Sequence, residues 1–302
     1  MKLSFVVPCF NEEGNIIPFT KRVREVFFGE DYEIVFVNDG SKDNTLNELH
    51  RVSGEKYEKV KIISFSRNFG KEAAMYAGLQ NASGDYVAII DADLQQDPEY
   101  VKTMAEILDA DKTVDAVCAY QAERKENKAV SFLKKGFYRF SNLISDVKME
   151  ENASDFRLLR RKVVSAILDL NEYHRFSKGI FAFVGFNTKY IPYQVKERNA
   201  GQSKWSILSL FKYAFSGIFA FSVKPLKLPS LFGELCLLAS IVMAIAFLVS
   251  GFTIERVILV CLFFLSAVIL LSLRIMGEYI ALSYIEGKKR PVFIVDKIER
   301  NF

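Results

Sequence analysis

The alternation of short apolar runs with amphipathic stretches over the first 121 residues is the feature that most constrains this chain. Five runs read as buried strands: Leu3 to Val7, Tyr32 to Val37, Val60 to Phe65, Tyr86 to Ile90 and Ala116 to Ala119. Helical patterns such as Ile16 to Phe28 and Glu72 to Leu79 lie between them. Continuous apolar strands alternating with helices predict a mostly parallel sheet covered on both faces, a doubly wound α/β domain whose ligands bind beyond the carboxyl ends of the strands. The residues that follow each strand therefore carry the functional information.

The fourth run leads straight into Asp91-Ala92-Asp93-Leu94-Gln95-Gln96-Asp97-Pro98. In an extended tip the carboxylates of Asp91 and Asp93 point to one side, about 7 Å apart, which suits one divalent cation. Oxygen ligands favour Mg²⁺ or Mn²⁺, which bridge carboxylates to substrate phosphates. A nucleotide diphosphate is the expected partner. Asp97 and Pro98 read instead as the start of a helix, with Asp97 as cap.

The first strand ends in Pro8-Cys9-Phe10-Asn11-Glu12-Glu13-Gly14-Asn15. No Gly-x-Gly-x-x-Gly or Walker sequence adjoins a strand end, which counts against NAD enzymes and P-loop ATPases. The second ends in Asn38-Asp39-Gly40-Ser41-Lys42-Asp43-Asn44-Thr45. Asp43 or Asn44 can cap the next helix, while Asp39 stays at the tip, placed to accept hydrogen bonds from a base. The third ends in Ser66-Arg67-Asn68-Phe69-Gly70-Lys71-Glu72. Four strand tips thus bring Glu12, Asp39, Arg67, Lys71, Asp91 and Asp93 to one edge.

A net charge of +4 over 302 residues gives no global field for nucleic acid. Cys9, Cys118, Cys236 and Cys261 have neither paired nor metal-like spacing, and His50 and His174 stand apart from any acidic or cysteine cluster, so disulfides, zinc and histidine chemistry are not expected. The first apolar run is too short for a signal peptide, which leaves the first domain in the cytosol. Leu231 to Ser250 and Val257 to Leu273 are apolar stretches each able to cross a ~30 Å hydrocarbon layer. They predict a membrane hairpin. Lys224, Lys227, Arg274, Lys288, Lys289 and Arg290 flank it and place its outer ends in the cytoplasm. Helical spacing of Ala129, Leu133, Phe137, Phe140 and Ile144, with Lys134, Lys135 and Arg139 alongside, predicts a basic amphipathic helix over about 129–145, suited to an anionic membrane surface. Trp205 to Phe221 reads as a second, more apolar interfacial helix. The expected organisation is a cytosolic catalytic domain over 1–204, an interfacial helix and linker over 205–228, two transmembrane helices over 229–276 and a cytosolic tail over 277–302.

Taken together, Val7-Pro8-Cys9-Phe10-Asn11-Glu12-Glu13, Asn38-Asp39-Gly40-Ser41, Arg67-Asn68-Phe69-Gly70-Lys71, Asp91-Ala92-Asp93-Leu94-Gln95, Ser154-Asp155-Phe156-Arg157 and the twin spans resemble the family 2 glycosyltransferases of the GT-A fold. Within that family the chain is most similar to the polyprenyl-phosphate glycosyltransferases, such as bactoprenol glucosyltransferases and dolichol-phosphate mannose synthases. The resemblance implies that Pro8, Phe10, Glu12 and Asp39, with Arg67 and Lys71 on the same edge, hold the nucleotide sugar. It implies that Asp91, Asp93 and Gln95 surround the metal and diphosphate, and that Asp155 is the catalytic carboxylate near the acceptor. A helix cap is the alternative reading for Asp155. Arg198 and Lys204, in the loop Lys196 to Trp205, are positioned to close over phosphates; the alternative there is a solvated linker.

The implied reaction is inverting transfer of one sugar, UDP-glucose being the first choice of donor, to polyprenyl phosphate at the cytoplasmic membrane face. A phosphate monoester has its second pKa at about 6, so the acceptor is already largely anionic and Asp155 has an orienting role open to it as well as that of a base. A homotetramer is implied by the same resemblance. Rival readings are a processive membrane polysaccharide synthase, weakened because Gln202-Ser203-Lys204-Trp205 departs from Gln-x-x-Arg-Trp, and a non-catalytic nucleotide-sugar-binding protein. Val292 to Val295 reads as a last short strand, pairing with another subunit or with its own sheet.

Overall fold

The computed structural model describes residues 2–54, 59–121, 153–195 and 253–302, with single helical positions at 235, 238, 239, 241, 242 and 245. The predicted amphipathic helix at 129–145, the loop with Arg198 and Lys204, the interfacial helix at 205–228 and most of the first predicted span lie outside the described residues.

Strands and helices alternate as β1 (Leu3–Cys9), α1 (Ile16–Val26), β2 (Tyr32–Asn38), α2 (Thr45–Ser53), β3 (Val60–Phe65), α3 (Lys71–Asn81), β4 (Tyr86–Ile89), α4 (Glu99–Ala110) and β5 (Ala116–Gln121). Then follow β6 (Ala153–Arg160), α5 (Arg161–Leu168), α6 (Ser177–Phe183), β7 (Thr188–Tyr193), α7 (Ile254–Gly287) and β8 (Val295–Arg300). Among the described residues the sheet has eight strands in the order β7-β5-β6-β4-β1-β2-β3-β8. β1 to β4 run parallel, as their continuous apolar sequences demand, and β6 and β8 run antiparallel to their neighbours.

One core lies between the sheet and α1, α2 and α4, centred on Phe5, Phe19, Phe36 and Phe156. The other face is covered by α3, α5 and α6. α3 sits directly on β1 and β2 because its inner positions are small: Ala73, Ala74, Ala77 and Gly78 are all buried. A Cβ on Gly78 would stand 2.2 Å from the Val6 side chain, so only glycine permits this approach.

Two features differ from the sequence reading. β6 and β7 were not expected as strands; Asp155, Arg157 and Arg160 interrupt the apolar pattern of β6, and β7 is an edge strand that tolerates Pro192. The last strand is Val295–Arg300, later than the predicted Val292 to Val295, and it pairs antiparallel with β3 of its own sheet rather than with another subunit. The apolar segment beginning near Val257 runs on as one helix to Gly287, continuous with the stretch Gly277 to Glu286 that the sequence also reads as helix. Within it Phe264–Gly287 is long and apolar enough to cross a membrane, and Leu265, Ile269, Leu273 and Ile280 are exposed. Leu235, Leu238, Ile241, Val242 and Ile245, in the first predicted span, are helical and exposed as well.

Candidate active site

The chain passes from β1 outward to β2 and β3, then returns to place β4 on the other side of β1. The crevice at the carboxyl ends of β1 and β4 is therefore the topological switch point where open α/β sheets bind ligands. The acids predicted for the edge, Glu12, Asp39, Asp91 and Asp93, lie on the loops leaving β1, β2 and β4.

Beyond β4 the backbone does not stay extended. Ala92 and Asp93 form a turn, and Leu94 takes a left-handed φ of 58°. A turn, and not the strand alternation expected from the sequence, therefore sets the directions of Asp91 and Asp93. Gln96, which sequence reasoning passed over, closes this turn. Its side-chain oxygen accepts from the Asp91 N–H at 3.1 Å, and its Nε2 donates to Asp91 Oδ2 at 3.3 Å. Asp93 is buried, and its Oδ1 accepts from the Gln95 N–H at 3.2 Å. Asp97 serves the helix start as expected, accepting from the Glu99 N–H at 3.1 Å, and it also pairs with Arg22 at 3.0 Å.

Lys71, the first residue of α3, joins this turn to the antiparallel strand β6. Its Nζ lies 2.7 Å from Asp91 Oδ1 and 3.3 Å from Asp155 Oδ2. The register of β4 on β6 pairs Ile89 with Arg157, so Asp155 stands two residues further on, level with the acids leaving β4. Asp155 is thus a strand residue and not a helix cap. Burial pushes its carboxyl upward, but the charges of Lys71, Lys178 and Arg157 outweigh that and hold it below the ordinary carboxylate range. Burial likewise works against the Lys71 ammonium, and Asp91 and Asp155 override it, raising its pKa. Asp155 and Lys71 are both charged at neutral pH.

The loops after β1, β2 and β3 are fastened to one another. The Asn11 N–H donates to Ser41 Oγ at 3.0 Å, and the Lys42 N–H donates to Asn11 Oδ1 at 2.8 Å. Glu12 accepts from Asn15 Nδ2 at 2.6 Å, while its own N–H donates to Thr45 Oγ1 at 2.8 Å. Asp39 accepts from the Phe69 N–H at 2.6 Å and the Gly70 N–H at 2.9 Å. Burial nevertheless keeps its pKa above the usual value. Each carboxylate oxygen retains a second acceptor site. Gly40, at φ 62°, lets this loop lie against the backbone of Arg67 and Asn68, and Arg67 stacks over Phe69 with 4.0 Å to the ring centre. Pro8 on β1 and the half-buried Phe10 stand at the same edge.

The described residues hold no ready-made cluster of three or more metal-ligating side chains. Asp91 and Asp93 nevertheless supply two carboxylates, and Asp155 Oδ1 is buried without a hydrogen-bond partner. A hard cation that brings waters and substrate phosphate oxygens needs only one or two such carboxylates, so these residues fit one.

An open α/β sheet with acids and a lysine gathered at its switch point is the architecture of a ligand-binding enzyme domain. Comparison with known proteins makes that class specific. Residues 4–168 match glycosyl transferase family 2. The SfII prophage-derived bactoprenol glucosyl transferase of Shigella flexneri is 40% identical, covering 99% of this chain and 99% of that one. The prophage bactoprenol glucosyl transferase homolog of Escherichia coli K12 is 37% identical, covering 99% and 100%. The glucosyl-3-phosphoglycerate synthase of Mycobacterium tuberculosis, solved with Mn²⁺, uridine diphosphate and phosphoglyceric acid, superposes with a TM-score of 0.52 at 16% identity, covering 72% of this chain and 76% of that one. The chain belongs to glycosyl transferase family 2 and is a glycosyltransferase with the GT-A-like fold expected from its sequence.

Proposed function

We propose that this enzyme transfers one sugar from a nucleotide diphosphate sugar, UDP-glucose being the first choice, to the phosphate of a polyprenyl lipid. The observation that carries the reading is likeness along almost the whole chain to proteins named bactoprenol glucosyl transferases. The charged cluster at the switch point and the exposed apolar helix α7 support it from the geometry.

In this reading an oxygen of the acceptor phosphate forms a bond to the anomeric carbon as the bond from that carbon to the diphosphate breaks. The nucleoside diphosphate leaves with the electron pair, and the configuration inverts. Pro8, Phe10, Glu12, Asp39 and Arg67 border the nucleotide. Asp91, Asp93 and Gln95 hold Mg²⁺ or Mn²⁺, which when bound supplies the charge that stabilises the departing diphosphate. Lys71 fixes Asp155 beside the acceptor, and Arg198 and Lys204 close over the phosphates. Because the acceptor is already anionic, the task of Asp155 is orientation more than proton removal.

α7, at about 1.5 Å per residue, exceeds the thickness of a ~30 Å hydrocarbon layer. It and the stretch Leu231 to Ser250 form a membrane hairpin with the catalytic domain on the cytoplasmic side, where Lys288, Lys289 and Arg290 lie. The assembly is a homotetramer. The test is to incubate purified protein with a donor panel and short-chain polyprenyl phosphate and to weigh the lipid product. Addition of a single hexose supports the proposal; a sugar polymer or unmodified lipid with every donor refutes it.

A further inference from the structure

β6 presents its residues alternately to the two faces of the sheet. Phe156 and Leu158 enter the core beneath α4, whereas Leu159 packs on the opposite side, the side of Lys71. Asp155 and Arg157 share that second face. Arg157 is only 6% exposed, with its guanidinium 3.5 Å from the ring centre of Phe181 on α6 and its Nη2 donating to the Ser154 carbonyl at 2.7 Å.

Two polar atoms here are buried and lack a hydrogen-bond partner: Asp155 Oδ1 and Arg157 Nε. One is an acceptor and the other a donor. Leaving the buried Arg157 donor unmade is costly, so it is built for a ligand that accepts. Cations surround it. Lys71 lies 3.3 Å from Asp155, and Lys178, in the first turn of α6, acts on the Asp155 carboxylate next in strength after Lys71. Ser177, the residue before Lys178, donates its N–H to Glu72 at 3.1 Å, which fastens the start of α6 beside the start of α3.

We infer that Arg157 and Lys178, together with Lys71, form a subsite for a phosphate monoester, with Arg157 Nε donating to one of its oxygens. Above its second pKa, about 6, a phosphate monoester presents anionic oxygens that accept from Arg157 Nε and from the two ammonium groups. The two ammonium groups offset the repulsion that Asp155 alone would exert. This inference deepens the transfer proposed above, on which it rests, by assigning the acceptor phosphate to residues of β6 and α6.

The test compares wild type with Lys178→Gln and Lys178→Arg, measuring KM separately for short-chain polyprenyl phosphate and for the donor that wild type uses. Loss of one charge-assisted contact raises the acceptor KM about tenfold or more, while the donor KM stays within about twofold and Lys178→Arg recovers most of the loss. An unchanged acceptor KM in Lys178→Gln, or equal rises in both KM values, overturns the subsite. A wild type that transfers no sugar to the lipid overturns the proposed function itself, before any variant is compared.

Discussion

Lys71 Nζ stands 3.3 Å from Asp155 Oδ2, bridging the first turn of α3 to a strand that joins the sheet on the far side of β4. The same ammonium reaches Asp91 at 2.7 Å, so a single side chain pairs with two carboxylates drawn from different parts of the chain. Replacing it by Met leaves both acids without their common counter-charge. Lys71→Met is expected to lower kcat about 100-fold or more with the protein still folded by circular dichroism, and Lys71→Arg to lose less. Wild-type turnover in Lys71→Met would remove this bridge from the mechanism.

Gly40 has φ 62°, and a Cβ there would stand 2.4 Å from the Arg67 carbonyl carbon and 2.6 Å from the Asn68 nitrogen. Both obstacles are backbone, so relief requires moving the loop after β3. Gly40→Ala is expected to cost about 1–3 kcal/mol in urea unfolding and to weaken binding of uridine diphosphate, because the Asp39 contacts to Phe69 and Gly70 shift with the loop.

Glu286, next to last in α7, accepts from the Tyr173 N–H at 2.9 Å and the His174 N–H at 3.1 Å. The apolar helix is thereby tied to the segment that leads into α6. Beyond the helix, Phe293 stacks on Phe65 at 4.8 Å and continues the attachment into β8. Glu286→Ala should raise the hydrogen-exchange rates of the Tyr173 and His174 amides about tenfold or more, with the amides of β1 and β2 unaffected.

Glu172 lies beside this tie, with Oε1 buried and unpartnered. Burial and the charge of Glu286 raise its pKa against the pull of Arg175. A raised carboxyl pKa means that the folded state binds the proton more readily than the unfolded chain, so the stability it contributes is lost as pH rises from the ordinary glutamate range through the raised value. Glu172→Gln should therefore raise Tm at pH 8 and change it little at pH 4. Equal shifts at both pH values would contradict the assignment.

What could be read from sequence followed the physics of burial. β1 to β5 are continuous apolar runs because both faces of the sheet are covered, and their tips carry the site residues in plain order. β6 escaped notice because its inner face holds Asp155 and Arg157, charges that look like loop residues until Lys71 and Phe181 are brought to them. β7 and β8 are edge strands, and the Lys297 and Glu299 that mark β8 are what an edge uses to avoid pairing with other chains. α7 runs on through Arg274, Gly277 and Glu278, in line with the helical reading of Gly277 to Glu286, because a helix with exposed sides accepts such residues without breaking. Gln96 left no sequence signal. Its clamp on Asp91 exists only because the chain turns at Ala92 and Asp93.

The central claim is that a cation-neutralised acidic edge expels a nucleoside diphosphate when a lipid phosphate attacks the sugar. Its most direct test is the rate of nucleoside diphosphate release from UDP-glucose by the purified protein, with and without polyprenyl phosphate, before and after chelation of divalent ions. The account predicts release that requires both the lipid phosphate and the divalent ion and is lost in Asp93→Ala. Release indifferent to the lipid and to chelation, or undiminished in that variant, would contradict it.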